Sequence, residues 1–216
     1  MRQTTFQRCS LLALAAVALL GSLPAHASMI ITASSVTAAA GSTGDTFYLT
    51  LANTGPSAQN IAAFSVGITV PTAITLTGGS EASSGGPYIF TGDSFDVLAS
   101  FPFTTGTGQM TDASDLSFSG IGNTLASGAT VGLGSITFNV AAGASAGPVT
   151  ITLNSTQSPP CGTPCTSLSD SAGANVPFSV VNGTINVTAS ASIPEPSTLL
   201  LALFVLPVIA FRRRSV

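Results

Sequence analysis

Between residues 30 and 187 apolar and polar positions alternate in short runs, each bounded by Gly, Pro, Ser or Asn clusters. In Thr46-Phe47-Tyr48-Leu49-Thr50-Leu51 the residues Phe47, Leu49 and Leu51 share one face and Tyr48 and Thr50 the other, because successive side chains of a strand point to opposite sides. Phe64, Val66, Ile68 and Val70 repeat the pattern, as do Ile136, Phe138 and Val140. No segment sustains a helical period. The pattern predicts nine strands, near 30–37, 46–52, 61–70, 74–77, 95–101, 116–121, 130–140, 149–153 and 178–187. Gly41-Ser42-Thr43-Gly44, Asn53-Thr54-Gly55-Pro56, Gly78-Gly79, Ser84-Gly85-Gly86-Pro87 and the stretch 143–148 mark the turns. Strands at this spacing predict an all-β domain over 28–188, a two-sheet antiparallel β-sandwich. Burying one such Phe or Ile contributes roughly 1.5–3 kcal/mol, so apolar alternation must hold this domain together.

The two chain ends break the pattern. At the front, Arg2 and Arg8, the apolar run 11–20 and the small-x-small triplet Ala25-His26-Ala27 read as a signal peptide over 1–27. A linker, 189–193, leads to Pro194-Glu195-Pro196, an apolar stretch 199–211 interrupted by Pro207, and Arg212-Arg213-Arg214. As a helix, 197–211 spans about 22 Å, short of the roughly 20 residues that a bilayer core calls for. A single short transmembrane helix that anchors the chain temporarily is therefore expected, with the arginines on the cytoplasmic side and the domain on the far side.

This motif, apolar stretch and arginine cluster resemble the PEP-CTERM sorting signal of Gram-negative bacteria. The resemblance covers 194–216 and implies handling by an exosortase, with Pro194, Glu195, Pro196, Arg212, Arg213 and Arg214 as the sorting residues. The chain would then pass from an inner-membrane anchored precursor to the cell surface or the extracellular matrix.

Charge excludes several functions. Arg2, Arg8, Arg212, Arg213 and Arg214 are the five basic residues and His26 is the single histidine, so 28–193 holds no Lys, Arg or His. Nucleic-acid binding needs cations against phosphate, Ser-His-Asp and Cys-His catalysis need an imidazole, and zinc sites rely on His or several Cys. Two carboxyl groups suffice for glycoside hydrolysis, and Asp93 with Asp96 and Asp112 with Asp115 are the candidate pairs. Both pairs sit among Gly, Ser and Thr, where Asp usually organises turns. Bare carboxylates can bind calcium weakly, but Asp112-Ala113-Ser114-Asp115 lacks the alternating spacing of a calcium loop. No catalytic residue, metal or cofactor is expected.

Once the leader with Cys9 is removed, Cys161 and Cys165 remain as a pair in an oxidising compartment, which favours a disulfide across Gly162-Thr163-Pro164. Redox and metal-ligand roles are the rival readings. Aromatic faces usually carry glycan binding, and Tyr48 on a strand and Tyr88 in a Gly-rich loop are the candidate contacts, joined by Phe101 and Phe103 beside Pro102.

The segments 44–51, 61–70, 133–140 and 146–153, in that order and spacing, resemble the cohesin-type β-sandwich, a jelly roll related to several carbohydrate-binding modules. That resemblance spans about 30–188 and implies dockerin docking, although Val70-Pro71-Thr72-Ala73 replaces a turn often found in the family. The expectation is a noncatalytic, exported surface or matrix protein whose sandwich is a structural or adhesive module. The alternatives are a module binding the cell's own exopolysaccharide and a cohesin-type protein docking module.

Overall fold

The structure, a computed structural model, describes residues 29–95, 103–105, 108–155 and 165–190. Its strands in chain order are β1 (Met29–Ala33), β2 (Val36–Ala39), β3 (Asp45–Asn53), β4 (Gln59–Ile61), β5 (Ala63–Pro71), β6 (Ile74–Ser80) and β7 (Phe103–Thr105). There follow β8 (Gly108–Leu116), β9 (Asn123–Leu125), β10 (Thr130–Val140), β11 (Gly147–Leu153), β12 (Ser167–Ser169), β13 (Phe178–Val181) and β14 (Gly183–Thr188). No helix occurs among the described residues.

Two sheets form the sandwich. One runs β13-β1-β3-β10-β6 and the other β2-β14-β11-β5-β8-β7, with β12 also on β5; a small β4-β9 pair closes one end. The sheets are mixed, which corrects the antiparallel expectation: β1 pairs parallel with β13, and β14 parallel with β2. The cause is sheet switching. The runs 30–37 and 178–187, each expected as one strand, break at Ser34-Ser35 and at Asn182, and the second half of each joins the opposite sheet. Backbone groups freed at such corners need new partners, and polar side chains supply them. Ser34 Oγ accepts from Tyr48 N (2.9 Å), Ser35 Oγ from Thr184 N (3.1 Å) and Asn182 Oδ1 from Leu153 N (2.9 Å). The two corners lie so close that a Cβ on Gly183 would sit 2.6 Å from the Ser34 carbonyl oxygen.

The core follows the alternation. Phe47, Leu49, Leu51, Phe64, Val66, Ile68, Val70, Ile136, Phe138 and Val140 are all buried between the sheets, and the Phe47 and Phe138 rings meet at 5.9 Å. Val131 and Ile136 both face inward although five positions separate them, which strict alternation forbids. A bulge between Gly132 and Gly134 resets the phase, leaving Leu133 as the extra residue.

Other expectations fail where the polar pattern is different. The strand expected at 116–121 is a turn beyond the end of β8, and Phe95 lies outside any strand, while 96–101 fall outside the described residues. The long β8 escaped notice because its inward positions are Thr111, Ala113 and Asp115, small or polar groups without an amphipathic signature. It forms because it pairs with β5 along its whole length, from Ala63↔Leu116 to Pro71↔Gly108. Three-residue strands such as β4, β9 and β12 are too short to leave a period.

The strands set two ends. β3 and β8 finish, and β5 begins, beside the β4-β9 pair. At the opposite end Ala40 N donates to Thr188 O and Gly41 N to Val140 O, and the described chain leaves there at Ser190.

Candidate functional site

Beside the β4-β9 pair two carboxylates organise a surface. Asp115, placed inward by the alternation of β8, is 2% exposed. It accepts the Tyr88 hydroxyl, Ser94 Oγ at 2.6 Å and, through its other oxygen, Leu116 N at 2.8 Å. With no Lys, Arg or His in 28–193 to pair it, hydroxyl and amide donors satisfy its carboxylate oxygens. Tyr88 is buried, its ring edge-on to Phe90 at 6.3 Å. Burial first, then the hydrogen bond and the negative charge of Asp115, push its hydroxyl above the ordinary phenol range, so Tyr88 stays a donor.

Asp93 does the equivalent outside. Its carboxylate accepts Ser117 Oγ, Ser119 Oγ (2.9 Å) and Ser119 N (2.9 Å), while its carbonyl accepts Phe118 N at 2.6 Å. The Ser117 hydroxyl and then the Ser119 amide hold its carboxyl below the usual carboxylate range. Ser117 Oγ also accepts Gly122 N at 3.1 Å, so one hydroxyl links Asp93 to the end of the turn. Gly122 has φ +76° and a Cβ there would lie 2.5 Å from the Ile61 carbonyl oxygen, which is why the turn passes β4 on a glycine.

These staples present an apolar surface to water. Phe118 and Ile121 are each 72% exposed, Phe95 54% and Leu116 41%. The Phe95 and Phe118 rings stack with centroids 5.9 Å apart and planes 25° apart. Phe95 N donates to Leu116 O (3.0 Å), and the Ile121 carbonyl accepts Asn60 Nδ2 (3.0 Å). Asn60 Oδ1 in turn accepts Ser171 N (2.9 Å), which draws up the turn where Asp170 accepts Ala172 N and Ala174 N.

The residues singled out from the sequence end up elsewhere. Tyr48 faces outward on β3 opposite Ser135 and is half-buried. Tyr88, expected in an exposed loop, is buried, so the two tyrosines share no exposed face. Asp112 and Asp115 lie on opposite faces of β8, three positions apart on a strand, so they do not flank one substrate. Asp96, Phe101, Cys161 and the sorting residues Pro194, Glu195, Pro196, Arg212, Arg213 and Arg214 lie outside the described residues. No group of His, Cys, Asp or Glu that could hold a metal ion occurs among the described residues.

Cys165 is disulfide-bonded, and it lies against the outer face of the second sheet. Its amide donates to Asp112 Oδ1 (2.8 Å) on β8 and its carbonyl accepts Ser65 Oγ (2.9 Å) on β5, while Gly67 N donates to Thr166 Oγ1 (3.0 Å). β11 and β12 occupy the same edge of β5, at Ile68–Thr69 and Ala63–Ser65. Gly67 is consequently buried although it is on the outer face.

Sequence reasoning missed Phe95 and Phe118 because Leu116-Ser117-Phe118-Ser119 mimics a strand's alternation. The readable signal was Gly120 and Gly122 immediately after it, which mark a turn.

No protein-family model matches the chain, and no curated relative does either. Solved structures do. The sixth cohesin of scaffoldin B from Acetivibrio cellulolyticus, in complex with a Cel5 dockerin, is 16% identical, with a TM-score of 0.53 over 74% of this chain and 99% of that one. A type I cohesin–dockerin complex of OlpA from Clostridium thermocellum gives 12% identity and a TM-score of 0.51 over 74% and 99%. The OlpC complex of the same organism gives 12% and 0.51 over 78% and 98%. The domain has the cohesin-like fold, an all-β sandwich with mixed sheets.

Proposed function

We propose that this chain is an exported, noncatalytic protein whose cohesin-like domain is a protein-docking module. The observation that carries the reading is the shared fold with chains solved bound to dockerins. The chemistry of the body agrees with it: 28–193 has no Lys, Arg or His side chain, and the carboxylates Asp93, Asp115 and Asp170 are engaged in holding turns and loops. An adhesive role in the extracellular matrix is the same reading at the level of the cell, with docking as its molecular act. Sorting by an exosortase through 194–216, with transient residence in the inner membrane, supplies the route to the surface.

Immobilised exported chain should retain material from its own cell's extracellular fraction, and protease treatment of that fraction should abolish retention. Retention that survives protease but is lost to polysaccharide-degrading enzymes would overturn docking. It would favour the second reading, exopolysaccharide binding, which the exposed Phe95–Phe118 pair also supports. Deleting 194–216 should move the protein from the cell-bound fraction to the medium; an unchanged distribution would overturn the sorting part.

A further inference from the structure

We infer that the end of the sandwich bearing Phe95, Leu116, Phe118 and Ile121 is the docking surface, and that it receives a protein segment whose apolar side chains are flanked by Lys or Arg. This rests on the docking reading and names its site and its partner's chemistry. The stacked Phe95 and Phe118 rings, with Leu116 and Ile121 exposed at the end of β8 and in the turn after it, leave apolar surface in water, which is unfavourable at about 25 cal/mol for each Å² uncovered. Covering such a patch is what binding would gain. The patch is also pre-organised, since backbone hydrogen bonds at Phe95, Phe118 and Ile121 and the two Asp staples set its shape before a partner arrives. Large apolar anchors held rigidly and ringed by polar groups are the usual seat of protein-binding energy.

The partner's charge follows from what surrounds the anchors. Asp93 borders the patch beside Phe95 and Phe118, and the turn that holds Asp170 is tied to it through Asn60, which donates to the Ile121 carbonyl and accepts Ser171 N. The body carries seven carboxylates, Asp45, Glu81, Asp93, Asp96, Asp112, Asp115 and Asp170, and no cation. A second copy of this chain would set acid against acid across the contact, whereas a Lys- or Arg-bearing partner meets opposite charge and is steered toward it. Ile121 and Leu116 favour a protein side chain over a sugar, because their aliphatic groups offer a pyranose neither a flat face nor a hydrogen bond.

Placement agrees. Ser190, where the described chain leaves the domain, is at the other end of the sandwich from the patch. A nine-residue strand such as β5 runs between the ends, about 30 Å at some 3.3 Å per residue. A chain anchored through 194–216 would therefore carry the patch on the side away from the membrane.

The test selects a displayed library of random dodecapeptides on the exported chain. The peptides recovered should combine aromatic or aliphatic residues with Lys or Arg. Their affinity should fall at least about tenfold in Phe118→Ser and in Phe95→Ser, as for anchor residues, and should weaken as salt is raised to about 0.5 M. Asp170→Asn keeps the oxygen that accepts the turn's amides and should lower affinity a few-fold, with a shallower salt dependence. Thr152→Arg, exposed on β11, should change nothing. Because Phe118 is on the surface, Phe118→Ser should leave thermal unfolding unchanged, which separates lost binding from lost fold. If peptides bind but are insensitive to Phe118→Ser and Phe95→Ser and are lost in Thr152→Arg, docking stands and this surface is wrong. Peptides lacking cations would overturn the partner chemistry. Sedimentation that shows a dimer abolished by Phe118→Ser would assign the patch to a second copy and overturn it. Recovery of no binding peptide, with glycans retained instead, would sink the docking reading as well.

Discussion

β3 with β10 and β8 with its neighbouring turns are held by different forces within one sandwich. Along β3 and β10, Phe47, Leu49, Leu51, Ile136 and Phe138 interlock without a charged group among them. Along β8 the inward row ends at Asp115, and the adjoining turns hang on carboxylates that accept from Tyr88, Ser94, Ser117 and Ser119. The first region depends on apolar area removed from water, which pH does not alter. The second depends on carboxylates held by hydroxyl and amide donors, and it is the region that carries the exposed surface. A body without cations can still use carboxylates structurally, provided that hydroxyls take the place of amines.

The contrast can be broken most strongly in the first region. Phe138→Ala should destabilise the protein by about 3–5 kcal/mol, the range for a buried Phe truncated in a packed core. Urea unfolding should show that loss equally at pH 5 and pH 8. Asp115→Ala should cost less, about 1–3 kcal/mol, because it strands the buried Tyr88 hydroxyl without its acceptor. Asp115→Asn keeps an acceptor and should recover part of the loss in the same urea measurement. A variant as stable as the parent would show that the inner staple contributes nothing.

The smallest effect should appear in the turn held by Asp93. Its carboxyl is held below the usual range in the folded protein, so its contribution is present above the unfolded pKa and is lost as pH falls through the folded one. The protection of the Phe118 and Ser119 amides, taken against their intrinsic exchange rates at each pH, should therefore fall on acidification below the ordinary carboxylate range, with global unfolding scarcely changed. Asp93→Asn should remove that pH dependence. An equal loss of protection in the variant would mean that another group controls the turn.

What could be read from the chain alone was decided by repetition. The alternation at Phe47-Leu49-Leu51, at Phe64-Val66-Ile68-Val70 and at Ile136-Phe138-Val140 sets an all-β sandwich and its core, because a period of two has one buried face whatever the partner strand. The confinement of cations to the two ends is likewise a property of the sequence, and it removes whole classes of chemistry. Tertiary structure alone decided where strands change sheets, since Ser34-Ser35 and Asn182 look like ordinary polar positions until a second sheet offers them partners. It also decided that Tyr88 turns inward to Asp115 while Phe95 and Phe118 turn outward. Those choices depend on which donors and acceptors meet across 27 and 21 residues of chain, a proximity that no local pattern encodes.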